Sequence, residues 1–386
     1  MTKVSKKLTF TILSISLLTV MAGAAIAPAL GVIKQHFSDS PDIIIQMIVS
    51  MPALLIILTN LVFGKLCRLM KTRTLALTGL LLYVLSGTGA FLVDNIGILL
   101  FMRALLGVSV GMIMPLSTGL LSYYFPPEEQ ASLMGLSAAM NQMGGVVATL
   151  LAGLLAGISW NYSFLVYMLG LIAVVSVVLY LPNERLSGGS GPSLKLLKRF
   201  HPSVVGMFLV MLIFFIYPTN FAIAASEGTS LSANSITFIM VGLDVVAFLV
   251  GLVFGRLVGI FPSVLKYFAP VLFMAGYLVL ALFPVLWGLL AGSALIGIAN
   301  GIGVPYLNTI ASLKAGKDAA TTVMPLLSAA LYLGQFLSPL IVHPLAKGIF
   351  GDSVTASFGV GVIVSAVFLL QVYSTRKKQA QPSARK

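Results

Sequence analysis

The stretch Leu61–Leu66 reads LVFGKL, and Leu252–Leu257, 191 residues later, reads LVFGRL. Each copy closes a long apolar run and opens a basic one. Outward from that pair the match continues. At an offset of 190, Pro28 falls on Pro218; Gly107, Gly111 and Pro115 fall on Gly297, Gly301 and Pro305; Met134 and Gly144 fall on Met324 and Gly334. Chance gives one such coincidence. The whole set in one register, with a single-residue slip at the quoted pair, describes a chain built twice from one plan.

Composition names the solvent. Hydrophobic residues make up 59% of the 386 and charged residues 9%, and the mean hydropathy is +1.06. A water-soluble core cannot hide that much apolar surface, so lipid must cover the rest. Twelve runs come close to or exceed the length needed to cross a bilayer, about 20 residues at 1.5 Å rise. The first half supplies Leu8–Ile33, Ile43–Leu66, Thr74–Val93, Ile96–Tyr123, Ala131–Ile158 and Tyr162–Leu181. The second supplies Val204–Ala225, Ser232–Val258, Val264–Leu282, Leu286–Leu313, Thr321–Leu345 and Val354–Tyr373. The strict alternation of a membrane barrel is missing, so the runs read as helices.

The expected fold is therefore an all-α membrane protein: twelve transmembrane helices in two pseudo-symmetric six-helix bundles, 1–182 and 204–386, joined by a polar linker, 183–203. Within that linker GGSGPS at Gly188–Ser193 reads as a flexible joint. KLLKRF at Lys195–Phe200 reads as a short amphipathic helix on the membrane surface. The tail after Tyr373 is basic and polar and reads as disordered. Parallel repeats of this size point to a transporter whose site lies between the halves near the membrane midplane.

The net charge of +13 carries topology. Twenty of the 23 Lys and Arg fall on the side of the amino terminus. The positive-inside rule then puts both termini in the cytoplasm and the chain in the cytoplasmic membrane. Short scattered basic loops do not make a nucleic-acid surface. Lys3, Lys6, Lys7 and the AGAA at Ala22–Ala25 resemble a cleavable leader, but the match of Pro28 to Pro218 makes the first run a structural helix. Cys67 is the single cysteine, which excludes a disulfide within the chain and a thiolate metal site. His36, His201 and His343 lie far apart, and no Walker-type loop is present. Neither an enzyme, a cofactor, a metal nor ATP drive is expected. The expected partners are a small molecule, protons and the bilayer, and the expected state is a monomer.

Over nearly its full length the chain resembles the major facilitator superfamily, and more locally its small bacterial drug–proton exporters. GKLCRLMKTR at Gly64–Arg73 lies where that family has its loop motif Gly-x-Leu-x-Asp-x-x-Gly-Arg-Arg. Gly64, Leu66 and Arg73 agree; Arg68 stands in place of Asp and Lys71 in place of Gly. The second copy keeps Gly255 and Leu257. RALLGVSVG at Arg103–Gly111 matches the family's fourth-helix motif, an Arg with Gly107 four residues on. In helix 5, Gly145–Gly153 reads GVVATLLAG, without the exporters' Gly-Pro. The resemblance implies alternating access, with Gly64, Leu66, Arg73, Gly107, Pro218 and Gly255 as the conformational motif and export against protons as the activity; the alternative, which the missing Gly-Pro favours, is uptake by symport or facilitated diffusion of a metabolite, with flipping of a lipid-linked substrate as a variant.

Asp244 is the sharpest single residue. Of ten acids it alone lies deep in a run, eleven residues before Gly255, about 16 Å along a helix. A charged Asp there costs about 2.5–3.5 kcal/mol on insertion scales. It reads as a proton-coupling acid or a cation anchor, or else as a structural acid satisfied by a neighbouring hydroxyl or amide. Thr237, Asp244 and Gly251 share one helical stripe, expected to face the cavity. Arg103 is the one base deep in a run, at a depth differing from that of Asp244 by about 15 Å. It reads as a partner in proton coupling or an anion anchor, or as an arginine capping backbone carbonyls. Tyr217 and Asn220 flank Pro218 and read as substrate contacts on a bending helix, or as part of an ordinary proline kink. Asn141, Gln142, Asn300, Tyr306 and Gln335 are further substrate-binding candidates; taken singly, each reads first as a helix–helix hydrogen bond and only second as a cavity residue. Asn141, Gly145, Thr149, Ala152 and Ala156 form a small-residue stripe suited to close packing.

Overall fold

The computed structural model describes residues 6–125, 127–185, 194–261, 263–351, 353 and 355–380. Among them all regular structure is helical. Twelve stretches are long and apolar enough to span a membrane. They are α1 (Lys6–His36), α2 (Asp42–Leu69), α3 (Thr72–Leu92), α4 (Ile96–Leu121), α5 (Leu136–Ala156) and α6 (Trp160–Tyr180), then α7 (Lys198–Gly228), α8 (Ala233–Ile260), α9 (Leu265–Leu282), α10 (Leu286–Ala311), α11 (Leu326–Phe350) and α12 (Ala356–Ser374). Each coincides with one of the apolar runs of the sequence. The chain divides into two compact units, Met1–Gly191 with Leu231–Val241, and Pro192–Ser230 with Gly242–Lys386.

Glycine sets the close crossings of each unit, and the crossings repeat. In the first unit Gly107 of α4 lies against the Pro52 carbonyl of α2, Gly111 lies against Thr59 and the Ile56 carbonyl, and Gly144 of α5 lies against the Leu17 carbonyl of α1. In the second, Gly297 and Gly301 of α10 face the carbonyls of Leu243 and Ala247 on α8; an added Cβ would stand 2.7 Å from either oxygen. Gly334 of α11 faces the Phe208 carbonyl of α7. These pairs map onto one another at offsets of 190 and 191. Gly144 and Gly334 find themselves on a backbone with no room for a methyl group, which explains why both copies keep the glycine.

Proline shapes the first helix of each unit. The α-helix Lys6–Ala24 stops, a 3₁₀ turn at Ala27–Ala29 holds Pro28, and helix resumes at Leu30. Likewise Leu194–Phe214 stops at Phe215 and a new helix starts at Ile216, with Pro218 in its first turn. Proline lacks the N–H that a helix interior needs but fits a first turn.

Three details depart from the sequence reading. Lys195–Phe200 forms the first turns of one helix running into α7, Leu194–Phe214, rather than a separate surface helix. Phe200 is buried with Met207, Ala311 and Leu327, so its apolar contact is protein. Gly188–Ser193, the expected joint, and 381–386, the end of the tail, lie outside the described residues, and 374–380 continue the last helix. Secondly, helical geometry runs unbroken over Leu286–Phe350, yet the chain reverses within it. Gly206 meets Leu307, and the Phe208 carbonyl meets Gly334. In a straight helix Leu307 and Gly334 would be about 40 Å apart. Thirdly, Trp160–Leu169 in α6 is a 3₁₀ helix of ten residues. Its burial repeats every three residues: Ser163 and Phe164, then Val166 and Tyr167, are buried, whereas Tyr162 and Met168 are exposed. Period three is the signature of that helix, which elsewhere seldom exceeds 3–4 residues.

Gly144→Val and Gly334→Val should each lower the melting temperature in detergent, reflecting an overpacking cost of about 1–3 kcal/mol. Gly251→Val, where an added Cβ meets nothing within 4 Å, should leave it unchanged.

Candidate functional site

Pro52 lies inside the α2 helix and cannot donate to Ile48 four residues back, so the Ile48 carbonyl is left without its helical partner. Ala22 sits in the last turn of the helix ending at Ala24, where carbonyls also lack partners. Lipid offers neither group a donor. Arg103 of α4 supplies both. Its Nε donates to the Ile48 carbonyl at 2.7 Å and its Nη2 to the Ala22 carbonyl at 2.6 Å. Its Nη1 donates at 2.6 Å to the Tyr167 hydroxyl, which donates onward to the Ala22 carbonyl at 3.1 Å. Arg103 is 1% exposed. Of its two sequence readings, the geometry is that of a cap on backbone carbonyls.

The second unit repairs its breaks with hydroxyls. Pro218 removes the donor for the Phe214 carbonyl. The Tyr277 hydroxyl of α9 donates to the adjacent Ile213 carbonyl at 2.6 Å and reaches the Phe214 carbonyl at 3.4 Å. Ser338 of α11 donates to the Leu212 carbonyl at 2.8 Å. Leu212 is the counterpart of Ala22 at the 190-residue offset, and Ser293 is the counterpart of Arg103. Ser293 shares a 2.7 Å hydrogen bond with the Tyr217 hydroxyl. The Tyr217 ring stacks on Phe221 with centroids 4.4 Å apart.

Asp244 is half-buried on α8 and within electrostatic reach of the Tyr217 hydroxyl. Tyr217 and Ser293 form a hydrogen-bonded pair in the second unit, and Asp244 of the same unit acts on Tyr217 through its charge. The stripe through Asp244 does not share one environment: Thr237 falls in the first unit, buried there against Gly153, whereas Gly251 falls in the second and is exposed. The other candidates are spread out. Asn220 donates to the Ile216 carbonyl and the Thr219 hydroxyl, both at 2.9 Å. Asn141 accepts from Thr19 at 2.8 Å, beside a 2.7 Å bond between Ser16 and Ser137, so it lies in the α1–α5 seam. Gln142 is exposed, Tyr306 and Asn300 are half-buried, and Gln335 is buried. The Asn300 Oδ1 is buried without a partner among the described residues. Gly255 makes no close approach.

One end of the first unit carries a clasp that the sequence did not announce. The Thr72 N–H and hydroxyl both donate to the Glu184 carbonyl at 2.7 Å, and Arg73 donates to the Val178 carbonyl. Tyr123, just beyond α4, donates to the Glu184 carboxylate. That hydrogen bond and the negative charge behind it hold the phenol above its usual range. Burial, assisted by the Glu184 charge, pushes Tyr124 up to about 12.

Comparison with known proteins places this architecture. The family model described as Major Facilitator Superfamily matches residues 12–339. The chain belongs to the major facilitator superfamily. It is 23% identical over 337 residues to the quinolone resistance protein NorA of Staphylococcus aureus strain MRSA252, covering 82% of this chain and 84% of that one. It is 22% identical over 121 residues to multidrug resistance protein 3 of Bacillus subtilis strain 168, covering 31% and 24%. Among solved structures it is similar to a bacterial homologue of the human lysosomal transporter Spinster, with a TM-score of 0.81 and 13% identity over 98% of both chains. It is also similar to the nucleoside transporter NupG, with a TM-score of 0.76 and 13% identity over 97% and 100%. Within this superfamily fold the helix 4 arginine and the loop arginine, Arg103 and Arg73, both end on backbone carbonyls.

Arg103→Met strips donors from two carbonyls in a lipid-facing bundle and should destabilise the protein by about 3 kcal/mol or more, read as loss of monodisperse protein in detergent; Arg103→Lys should recover only part. In an ultraviolet titration, Tyr124 should ionise about two units later than a free phenol. The raised value favours the folded state below pH 10, and that contribution is lost as pH climbs toward about 12. Tyr124→Phe should remove this late component.

Proposed function

We propose that this member of the superfamily is a secondary transporter that exports small amphiphilic molecules across the cytoplasmic membrane in exchange for protons, with Asp244 as the proton carrier. The observation that carries the reading is Asp244 itself: an acid deep in an apolar span, half-buried and within electrostatic reach of the Tyr217 hydroxyl. An ionised carboxylate in a span is costly and a protonated one is not. Uptake and release of one proton therefore change the stability of whatever conformation buries the acid, and this is the currency of alternating access.

Export is favoured by the likeness to NorA. A transporter named for resistance to a drug protects the cell by moving that drug outward. We assign Tyr217, Asn220, Asn300, Tyr306 and Gln335 of the second unit, with Asn141 and Gln142 of the first, to the substrate path. Gly64, Leu66, Arg73, Gly107, Pro218 and Gly255 are assigned to the conformational cycle. Arg103 takes part by holding α1, α2, α4 and α6 together rather than by carrying the proton. The basic loops support cytoplasmic termini, and the working state is proposed to be the monomer.

In proteoliposomes with an imposed pH gradient, the parent protein should move ethidium or a quinolone. Asp244→Asn should abolish the gradient-driven component while keeping the melting temperature. Undiminished gradient-driven transport by that variant would remove Asp244 from the mechanism.

A further inference from the structure

We propose that Ser293 is the positioning residue of the proton site: its hydrogen bond holds the Tyr217 hydroxyl on the stretch of α10 that packs against the Asp244 segment of α8, so that α10 as well as α7 registers the charge on α8. The inference rests on Asp244 as the proton carrier. It begins from the restraint on Tyr217. Its ring is 2% exposed and stacked on Phe221 at an interplanar angle of 18°, so the hydroxyl has one place to be. There it meets Ser293, also 2% exposed, at 2.7 Å. The third wall is fixed too. Gly297, one turn along α10 from Ser293, admits the Leu243 carbonyl so closely that a methyl group would stand 2.7 Å from the oxygen. The residue after Leu243 is Asp244. Glycine thus sets the depth of α10 against the segment of α8 that bears the acid.

A hydroxyl has one proton to donate and two lone pairs with which to accept. Either oxygen of the Tyr217–Ser293 pair can be the donor. In the field of an ionised carboxylate, the Tyr217 proton turns toward Asp244 and Ser293 donates to Tyr217. With the carboxyl protonated, the order reverses and Tyr217 donates to Ser293. The pair is a reversible dipole whose direction follows the proton. The other titratable group behind it is Tyr277 on α9, already committed to the carbonyls of Ile213 and Phe214. Tyr306, the titratable residue of α10, is thirteen residues from Ser293, about 20 Å along the helix. Ser293 stands where the repeat places Arg103 in the first unit. The same position carries a fixed charge in one unit and a reorientable hydroxyl in the other.

The test reads the proton directly and needs no substrate. The full-length protein in lipid nanodiscs is titrated by infrared spectroscopy, following the C=O band of protonated carboxyl groups. The component absent from Asp244→Asn belongs to Asp244. In Ser293→Ala its midpoint should move by about half a pH unit or more, roughly a threefold change in proton affinity. Ser293→Thr, which keeps a hydroxyl, should restore it. Tyr217→Phe, which keeps the stacked ring, should displace it as well and replaces Ser293→Ala should that variant fail to fold. An Asp244 component whose midpoint is unmoved in these variants overturns the role of Ser293 and leaves Asp244 standing. A spectrum in which Asp244→Asn removes nothing between pH 4 and 10 overturns the carrier and this proposal together.

Discussion

Lipid donates no hydrogen bonds, and that constraint organises both units. Pro28, Pro52 and Pro218 each interrupt a helical ladder, and carbonyls that an aqueous protein would leave to solvent must be met from inside the bundle. The first unit meets them with one guanidinium and one phenol, the second with a phenol and a serine hydroxyl. An unsatisfied amide carbonyl in an apolar medium costs several kcal/mol. Each cap therefore ties its helix to a proline break on another as firmly as a packed side chain would. The conserved geometry of the repeat is the glycine crossing; the divergent part is the chemistry that heals the breaks.

The two deep charges are accommodated in opposite ways. Arg103 is a permanent cation, and its recorded partners are the negative ends of backbone dipoles and a phenol oxygen. It cannot give up its proton, and with those contacts in place it is part of the frame. Asp244 is half-buried, and its charge reaches the Tyr217 hydroxyl, which can turn. A fixed frame and a separate titratable acid are what the proposed proton exchange requires.

Much of this was legible in the sequence. Hydropathy gave the spans because lipid tolerates little else, and the paired glycines gave the repeat because a carbonyl pressed against a Cα admits no other residue. Asp244 and Arg103 stood out by depth alone. What was hidden depends on contacts between residues distant along the chain. Ser293 lies 49 residues from Asp244 and 76 from Tyr217, and a serine in an apolar run looks like every other small residue. Pro52 did mark the Ile48 carbonyl as needing a donor, but nothing local identified Arg103, 55 residues away, as the group that supplies it. The surface helix expected at Lys195–Phe200 failed for a related reason: periodicity shows that Phe200 wants an apolar neighbour, not whether that neighbour is lipid or Leu327.

The 3₁₀ stretch of α6 has a mechanical corollary. Ten residues at 2.0 Å and eleven at 1.5 Å reach about 36 Å, against about 32 Å for the same 21 residues wound as α-helix. Each residue also turns by 120° instead of 100°. Between Trp160 and Tyr167 the difference accumulates to about 140°. Rewinding this stretch would swing the phenol of Tyr167 to the far side of its helix and pull it out of reach of both the guanidinium and the Ala22 oxygen. The pitch of α6 and the cap on the break in α1 thus meet in a single phenolic oxygen.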